Sequence, residues 1–192
     1  QAAQALSDAR KAAADRLTAQ ILTELQQLDM GKIRFAVDFA EKPLDSDGMD
    51  TVRFLMSANV GEELRPIHKI ASGGELARIM LAIKSALAHK DSTPLLVFDE
   101  IDANVGGEVA RSVGFKMQQL GARHQVISIT HFPQVAALAS HHYLVQKASA
   151  GNRTISCLRE VDQEERIDEL ARMLGGGGDH ARTLAQALLQ TS

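Results

Sequence analysis

Two pairs of polar residues stand directly behind apolar runs. Asp99-Glu100 follows Leu95-Leu-Val-Phe98, and Thr130-His131 follows Val126-Ile-Ser-Ile129. Adjacent carboxylates at the end of a buried strand are costly to desolvate unless they serve a cation or a proton transfer. On that chemistry Asp99 is expected to hold Mg²⁺, directly or through water, and Glu100 to act as base toward an attacking water. His131 would contact the charge that builds during reaction. Ser72-Gly-Gly-Glu75 supplies a third part. Ser72 and Glu75 fit a capping box, yet Gly73 and Gly74 each cost a helix about 1 kcal/mol relative to alanine. Glycines in a first turn leave backbone N–H groups unobstructed, at the end that the helix dipole makes attractive to anions. A phosphate can then touch the backbone, with the Ser72 hydroxyl as a further donor. The plainer alternatives are an ordinary capping box here and acidic helix caps after the strands.

The elements that must position these residues follow from period. The two apolar runs read as strands buried on both faces. The helix between them carries Val109, Val113, Met117 and Leu120 on one side. Strand, crossover helix, strand implies a parallel sheet, whose ligands bind outside the carboxyl ends of the strands. From Glu75 onward Leu76, Met80, Ile83 and Leu87 are expected to share a helix face. Upstream, Ile33–Phe39 and Val52–Ala58 alternate around a Pro43–Gly48 loop and predict two antiparallel strands. Downstream come a hairpin of 143–147 with 154–159 turned at Ala150-Gly-Asn152, and a helix over 162–174. That helix is capped by Gly175–Gly178, and a last helix carries Leu184, Leu188 and Leu189. Residues 1–29 hold neither Gly nor Pro, and Leu17, Ile21, Leu25 and Leu28 form a stripe that Ala9 and Ala13 extend. That stretch reads either as an amphipathic surface helix or as a coiled-coil stub cut from something longer.

Composition narrows the classes. The 192 residues carry a net charge of −3, so nothing marks a broadly basic nucleic-acid footprint. Cys157 is the only cysteine, which excludes an intrachain disulfide and fits a reducing compartment. No apolar run approaches the roughly 20 residues of a membrane span, and a cytoplasmic location is expected. A nucleotide site should also have a G-x-x-x-x-G-K-[ST] loop, and the chain has none: its one Gly-Lys pair, Gly31-Lys32, is followed by Ile33. Either no nucleoside triphosphate is bound, or that loop lies elsewhere.

Several stretches, in order along the chain, resemble the C-terminal head segment of the RecN family, bacterial DNA-repair ATPases of the SMC-like branch of ABC ATPases. They are Asn59-Val-Gly-Glu62, Leu64-Arg-Pro66, Ala71-Ser-Gly-Gly-Glu-Leu-Ala-Arg78, Phe98-Asp-Glu-Ile-Asp102, Ile129-Thr-His-Phe-Pro-Gln-Val-Ala136 and Glu169-Leu-Ala-Arg-Met-Leu-Gly-Gly176. The resemblance implies an α/β fold, the C-terminal half of an ABC/SMC-type head. It would be a mostly parallel sheet with flanking helices and a β-hairpin over residues 30–192, and residues 1–29 would end a returning coiled coil. It implies that Ser72, Gly73, Gly74 and Glu75 are the signature that contacts the γ-phosphate of ATP on an opposing head. Asp99 would be the Walker B carboxylate serving Mg²⁺, Glu100 the base, and His131 the switch histidine. Residues Ile101–Gly107 would form the D-loop across the dimer interface, with Asp102 its key acid. Asn104 stands where a glycine is expected, and asparagine also tolerates a left-handed backbone. The Walker A loop would come from the N-terminal segment of the same protein. Partners would be that segment, a second head in a homodimer, and DNA through the full-length protein, in the nucleoid-associated cytoplasm.

Rival readings are a head segment of another SMC-like ATPase, a metal-dependent hydrolase and a non-catalytic module. The hydrolase would use Asp99, Glu100, His131 and the His141-His142 pair, although the spacing matches no metal signature. The module would bind DNA or a partner through the coil and the Arg-bearing C-terminal helix.

Overall fold

The computed structural model describes residues 1–57, 61–69, 73–150, 153–176 and 178–190. Ser72 of the glycine box lies outside the described residues, as do Ala58–Val60, Ile70, Ala71, the Gly151-Asn152 turn and Gly177. The Gly- and Pro-free opening stretch forms helix α1 (Ala2–Gln27). Ile21, Leu25 and Leu28 are buried as expected. Farther up, the buried positions are Ala14 and Ser7, whereas Ala9 and Ala13 are exposed. The reason is local. α1 lies along a hairpin of β1 (Arg34–Asp45) and β2 (Gly48–Ser57), and Ser7 Oγ donates to Asp50 Oδ1 at 2.9 Å.

Strands β1 and β2 are antiparallel, pairing Phe35 with Met56 and Val37 with Phe54. The first strand does not stop at Pro43. It continues through an irregularity to Asp45 and turns over Ser46-Asp47 onto Gly48, whose φ of 102° suits only glycine. A two-residue strand, β3 (Arg65–Pro66), adds antiparallel to β2.

Helix α2 (Gly73–Leu87) follows. Its buried face differs from the expected one. Arg78, Ile79, Leu81, Ala82 and Ile83 are buried, whereas Met80 is 39 % exposed. The sequence Ile79–Ile83 is apolar at every step, so periodicity cannot choose a face and the packing partners do.

Strands β4 (Leu95–Asp99) and β5 (Gln125–Ile129) pair in parallel, joined through α3 (Gly107–Gly121), with Leu95 opposite Gln125 and Asp99 opposite Ile129. This is the expected βαβ unit. The expectation that both faces are buried fails. Leu96 and Phe98 are buried on the side of α2 and α3, while Leu95, Val97, Ile127 and Ile129 are between 42 % and 58 % exposed. A parallel sheet normally carries cover on both faces; among the described residues only one face has it.

A four-residue helix, α4 (Pro133–Ala136), leads to the hairpin of β6 (Tyr143–Ala150) and β7 (Arg153–Glu160). Helix α5 (Gln163–Met173) starts with a true capping box between Asp162 and Glu165. It ends at Gly175, whose φ is 90° and whose N–H donates to Arg172 O. Helix α6 (Asp179–Gln190) buries Ala185, and Leu184 points outward. The larger core joins α1, α2, α3, β4 and the β1–β2 hairpin, and a smaller one joins α4, α5 and α6.

Candidate functional site

The carboxyl ends of β4 and β5 lie side by side, because Asp99 is opposite Ile129 in the register. Asp99 and Glu100 therefore leave the sheet next to Thr130 and His131. Asp99 and Glu100 are both exposed. Glu100 takes a left-handed backbone, φ 54°, and so does Asn104, φ 60°. Asn104 thus holds a left-handed backbone of the kind that glycine adopts readily. For Glu100 that conformation costs roughly 1–2 kcal/mol, and such strain persists only where the surroundings impose it.

The surroundings are visible on two sides of the 100–104 loop. On one side stands the start of α2. A Cβ on Gly74 would lie 3.0 Å from Glu100 O and 3.1 Å from Ala103 Cβ, and a Cβ on Gly73 would lie 3.8 Å from Glu100 Oε2. One turn further along, Arg78 Nη1 donates to the carbonyl oxygens of Ile101 at 3.1 Å and Ala103 at 3.2 Å. Burial holds the Arg78 guanidinium below its ordinary value, while the charges of Glu75 and Asp102 oppose that fall. An arginine starts so high that it stays cationic.

On the other side stands Thr130, whose Oγ1 donates to Asp102 Oδ2 and accepts from the Phe132 N–H at 3.0 Å. Asp102 is 1 % exposed, its Oδ1 has no hydrogen-bond partner among the described residues, and His131 Nδ1 lies 3.7 Å from that oxygen. The Asp102 carboxylate is thus held against its own chain by Thr130. The His131 side chain is 72 % exposed, with its ring centroid 4.6 Å from that of Phe132.

The structure thus gathers Gly73, Gly74, Asp99, Glu100, Asp102 and His131 at one edge, with Glu75 in the first turn of α2. Sequence reasoning missed Arg78 and Thr130. The signal for Arg78 was a lone cation inside the apolar stretch Leu76–Ile83; for Thr130 it was a hydroxyl beside His131.

No group of three or more His, Cys, Asp or Glu side chains placed to hold a metal ion occurs among the described residues. Mg²⁺ fits the single exposed carboxylate of Asp99 all the same, since it is commonly bound by one or two carboxylates with phosphate and water oxygens. The hydrolase ligand set is not brought together. His141 Nδ1 instead meets Glu160 Oε1 at 2.7 Å. Burial, then the charge of Arg166, hold His142 below the usual histidine range against the pull of Glu169.

Over 205 aligned residues the chain is 41 % identical to the DNA repair protein RecN of Streptomyces coelicolor, covering 99 % of this chain and 36 % of that protein. The chain is a RecN-like segment. It spans about a third of the length of the RecN proteins it matches. No family model matches it. The RecN-like segment has the fold of SMC heads. It superposes with a TM-score of 0.59 on the Smc head domain with a coiled coil and joint from Pyrococcus yayanosii, at 19 % identity over 84 % of this chain and 29 % of that one. A structure from work on ATP-driven dimerization and DNA stimulated activation of SMC ATPases gives 0.53, at 18 % identity over 89 % of this chain and 99 % of that one.

Proposed function

We propose that this RecN-like segment is the C-terminal part of an ABC-type ATPase head, acting in ATP binding and hydrolysis between two heads. Closing and opening of that sandwich drives the parent protein's work in repairing DNA ends, in the nucleoid-associated cytoplasm. The observation that carries the reading is the convergence of two strand ends and one helix start. Asp99, Glu100 and His131 leave the parallel pair at one edge, and the Gly73-Gly74 turn packs on the same loop. The RecN likeness and the SMC-head fold support it.

In this account Glu100 accepts the proton of the attacking water. His131, exposed at the same edge, meets the negative charge that builds on the phosphoryl oxygens. Ser72, Gly73, Gly74 and Glu75 serve as the signature for the γ-phosphate of ATP held by the other head, where the N–H groups at the start of α2 and the helix dipole favour an anion. Asp99 would hold Mg²⁺, which would supply neutralisation of phosphate charge when bound. Asp102 acts from inside, through Thr130 and His131.

The phosphate-cradling Walker A loop comes from the N-terminal segment of the same protein, so this chain alone has little ATPase activity. The same segment covers the apolar face of Leu95, Val97, Ile127 and Ile129, which α2 and α3 leave open. Residues 30–192 are head, and residues 1–29 end the returning coil. Glu100→Gln in the full-length protein is expected to slow ATP hydrolysis by roughly 10²–10⁴-fold, the usual weight of a general base, with ATP binding retained. Near wild-type turnover by that variant would remove Glu100 from the role of base.

A further inference from the structure

We infer that Arg78 is a positioning residue that ties the phosphate-facing turn of α2 to the loop carrying Glu100, so that the two move as one body. The inference rests on the ATPase reading above and adds to it a link between two nucleotide sites. In the sandwich, residues 73–75 face the ATP of the other head, whereas Asp99 and Glu100 serve the ATP of their own. Both sets stand on one chain, and Arg78 lies between them.

The geometry is specific. Arg78 is 7 % exposed and sits one turn after Glu75. A single nitrogen of its guanidinium reaches the carbonyls of Ile101 and Ala103, both inside the segment bounded by left-handed Glu100 and Asn104. Glu100 holds an unfavourable backbone only while something over-determines it. Gly74 lets α2 approach closely enough for the bond, since any side chain there would meet Glu100 O. Simple packing would be served as well by an apolar side chain, because burying a cation costs several kcal/mol before its partners offset the loss. Here the cation is retained, supported by the charges of Glu75 and Asp102. A lysine keeps the charge but carries it on a flexible four-carbon stem that ends one bond short of Nη1, so it does not hold both carbonyls in the same fixed geometry.

The test uses the full-length protein with Arg78→Lys and Arg78→Met, and Glu100→Gln as reference. Both Arg78 variants are expected to lose about 10–10²-fold in kcat, the scale of a small misplacement of a reacting group. KM and ATP binding should stay within about threefold, while the melting temperature falls by only a few degrees, the cost of carbonyls left without a donor. Amide exchange of residues 101–104 in the nucleotide-free protein should quicken at least about tenfold. Should the methionine variant fail to fold, Arg78→Lys decides alone. Wild-type kcat in the Arg78 variants, with Glu100→Gln inactive, overturns the role of Arg78 and leaves the ATPase reading standing. Parallel loss of kcat, ATP binding and melting temperature also overturns it, by showing general support of the fold. Wild-type turnover by Glu100→Gln, or no ATP binding by the unaltered protein, overturns both.

Discussion

Gly74 and Glu100 meet so closely that the glycine has no room for a side chain: a Cβ there would stand 3.0 Å from the Glu100 carbonyl oxygen. The neighbouring Gly73 has no such contact, its nearest atom being Glu100 Oε2 at 3.8 Å. The two glycines therefore serve different ends. Gly74→Ala gains up to about 1 kcal/mol of helix propensity but overpacks against backbone, which costs roughly 1–3 kcal/mol, so it should be neutral to destabilising. Gly73→Ala should be neutral to stabilising, yet impair ATP-dependent association of heads by crowding the turn. Thermal melts of both variants beside an association assay separate these effects. A stable Gly73→Ala protein with wild-type association would show that no phosphate needs that approach.

The open face of the parallel pair gives a second prediction. Val97→Thr with Ile127→Thr keeps β-branched side chains on exposed strand positions, so each change should alter the stability of this chain by no more than about 0.5 kcal/mol. If the N-terminal segment covers that face, each buried hydroxyl left without a partner costs roughly 1–3 kcal/mol of association. Co-purification of the two segments should fall accordingly. Undiminished co-purification would place the contact elsewhere.

Much of this arrangement was legible in the sequence, and the limits have physical causes. The runs before Asp99 and Thr130 marked β4 and β5 because short continuous apolar runs suit strands of a parallel sheet. The inference of burial on both faces failed for Val97 and Ile129, since a run reports what a strand can bury and not whether its cover is present. The face of α2 was misread because Met80 sits within an all-apolar stretch that offers no contrast. Nothing in the local sequence of Asp102 reveals that Thr130, 28 residues away, hydrogen-bonds its buried carboxylate. Leu184 is exposed and Ala185 buried in α6 because a short helix with several leucines has more than one plausible apolar stripe.

Thr130 carries the third prediction. Thr130→Val removes the one hydrogen bond described for the buried Asp102 carboxylate. An unsatisfied buried acceptor costs roughly 1–3 kcal/mol, and Thr130→Ser should restore most of it. Urea unfolding of the three proteins measures the difference. Equal stability of the valine and threonine forms would mean that the bond holds nothing in place.

Away from the site, Asp91 gives a prediction in pH. Hydrogen bonds from Lys84 Nζ at 2.6 Å, Thr93 Oγ1 at 2.6 Å and the Thr93 N–H at 2.9 Å hold its carboxyl well below the usual range. The folded state thus binds this proton less readily than the unfolded chain does. The resulting stability is complete above the ordinary value near pH 4 and is lost as pH falls through the lowered one. Asp91→Asn should therefore lower the melting temperature at neutral pH, with the gap closing between about pH 5 and about pH 2. A gap of constant size across that range would assign the effect to something other than ionisation.

The central claim is that this chain completes an ATP sandwich with a second head once its N-terminal counterpart supplies the Walker A loop. Co-expression of the two segments, purification of the complex and measurement of its mass in solution test it most directly. With Glu100→Gln to block turnover, the complex is expected to be a single head without nucleotide and a dimer of heads with ATP and Mg²⁺. A mass that does not change on adding ATP and Mg²⁺, in a complex that has bound the nucleotide, would contradict the account.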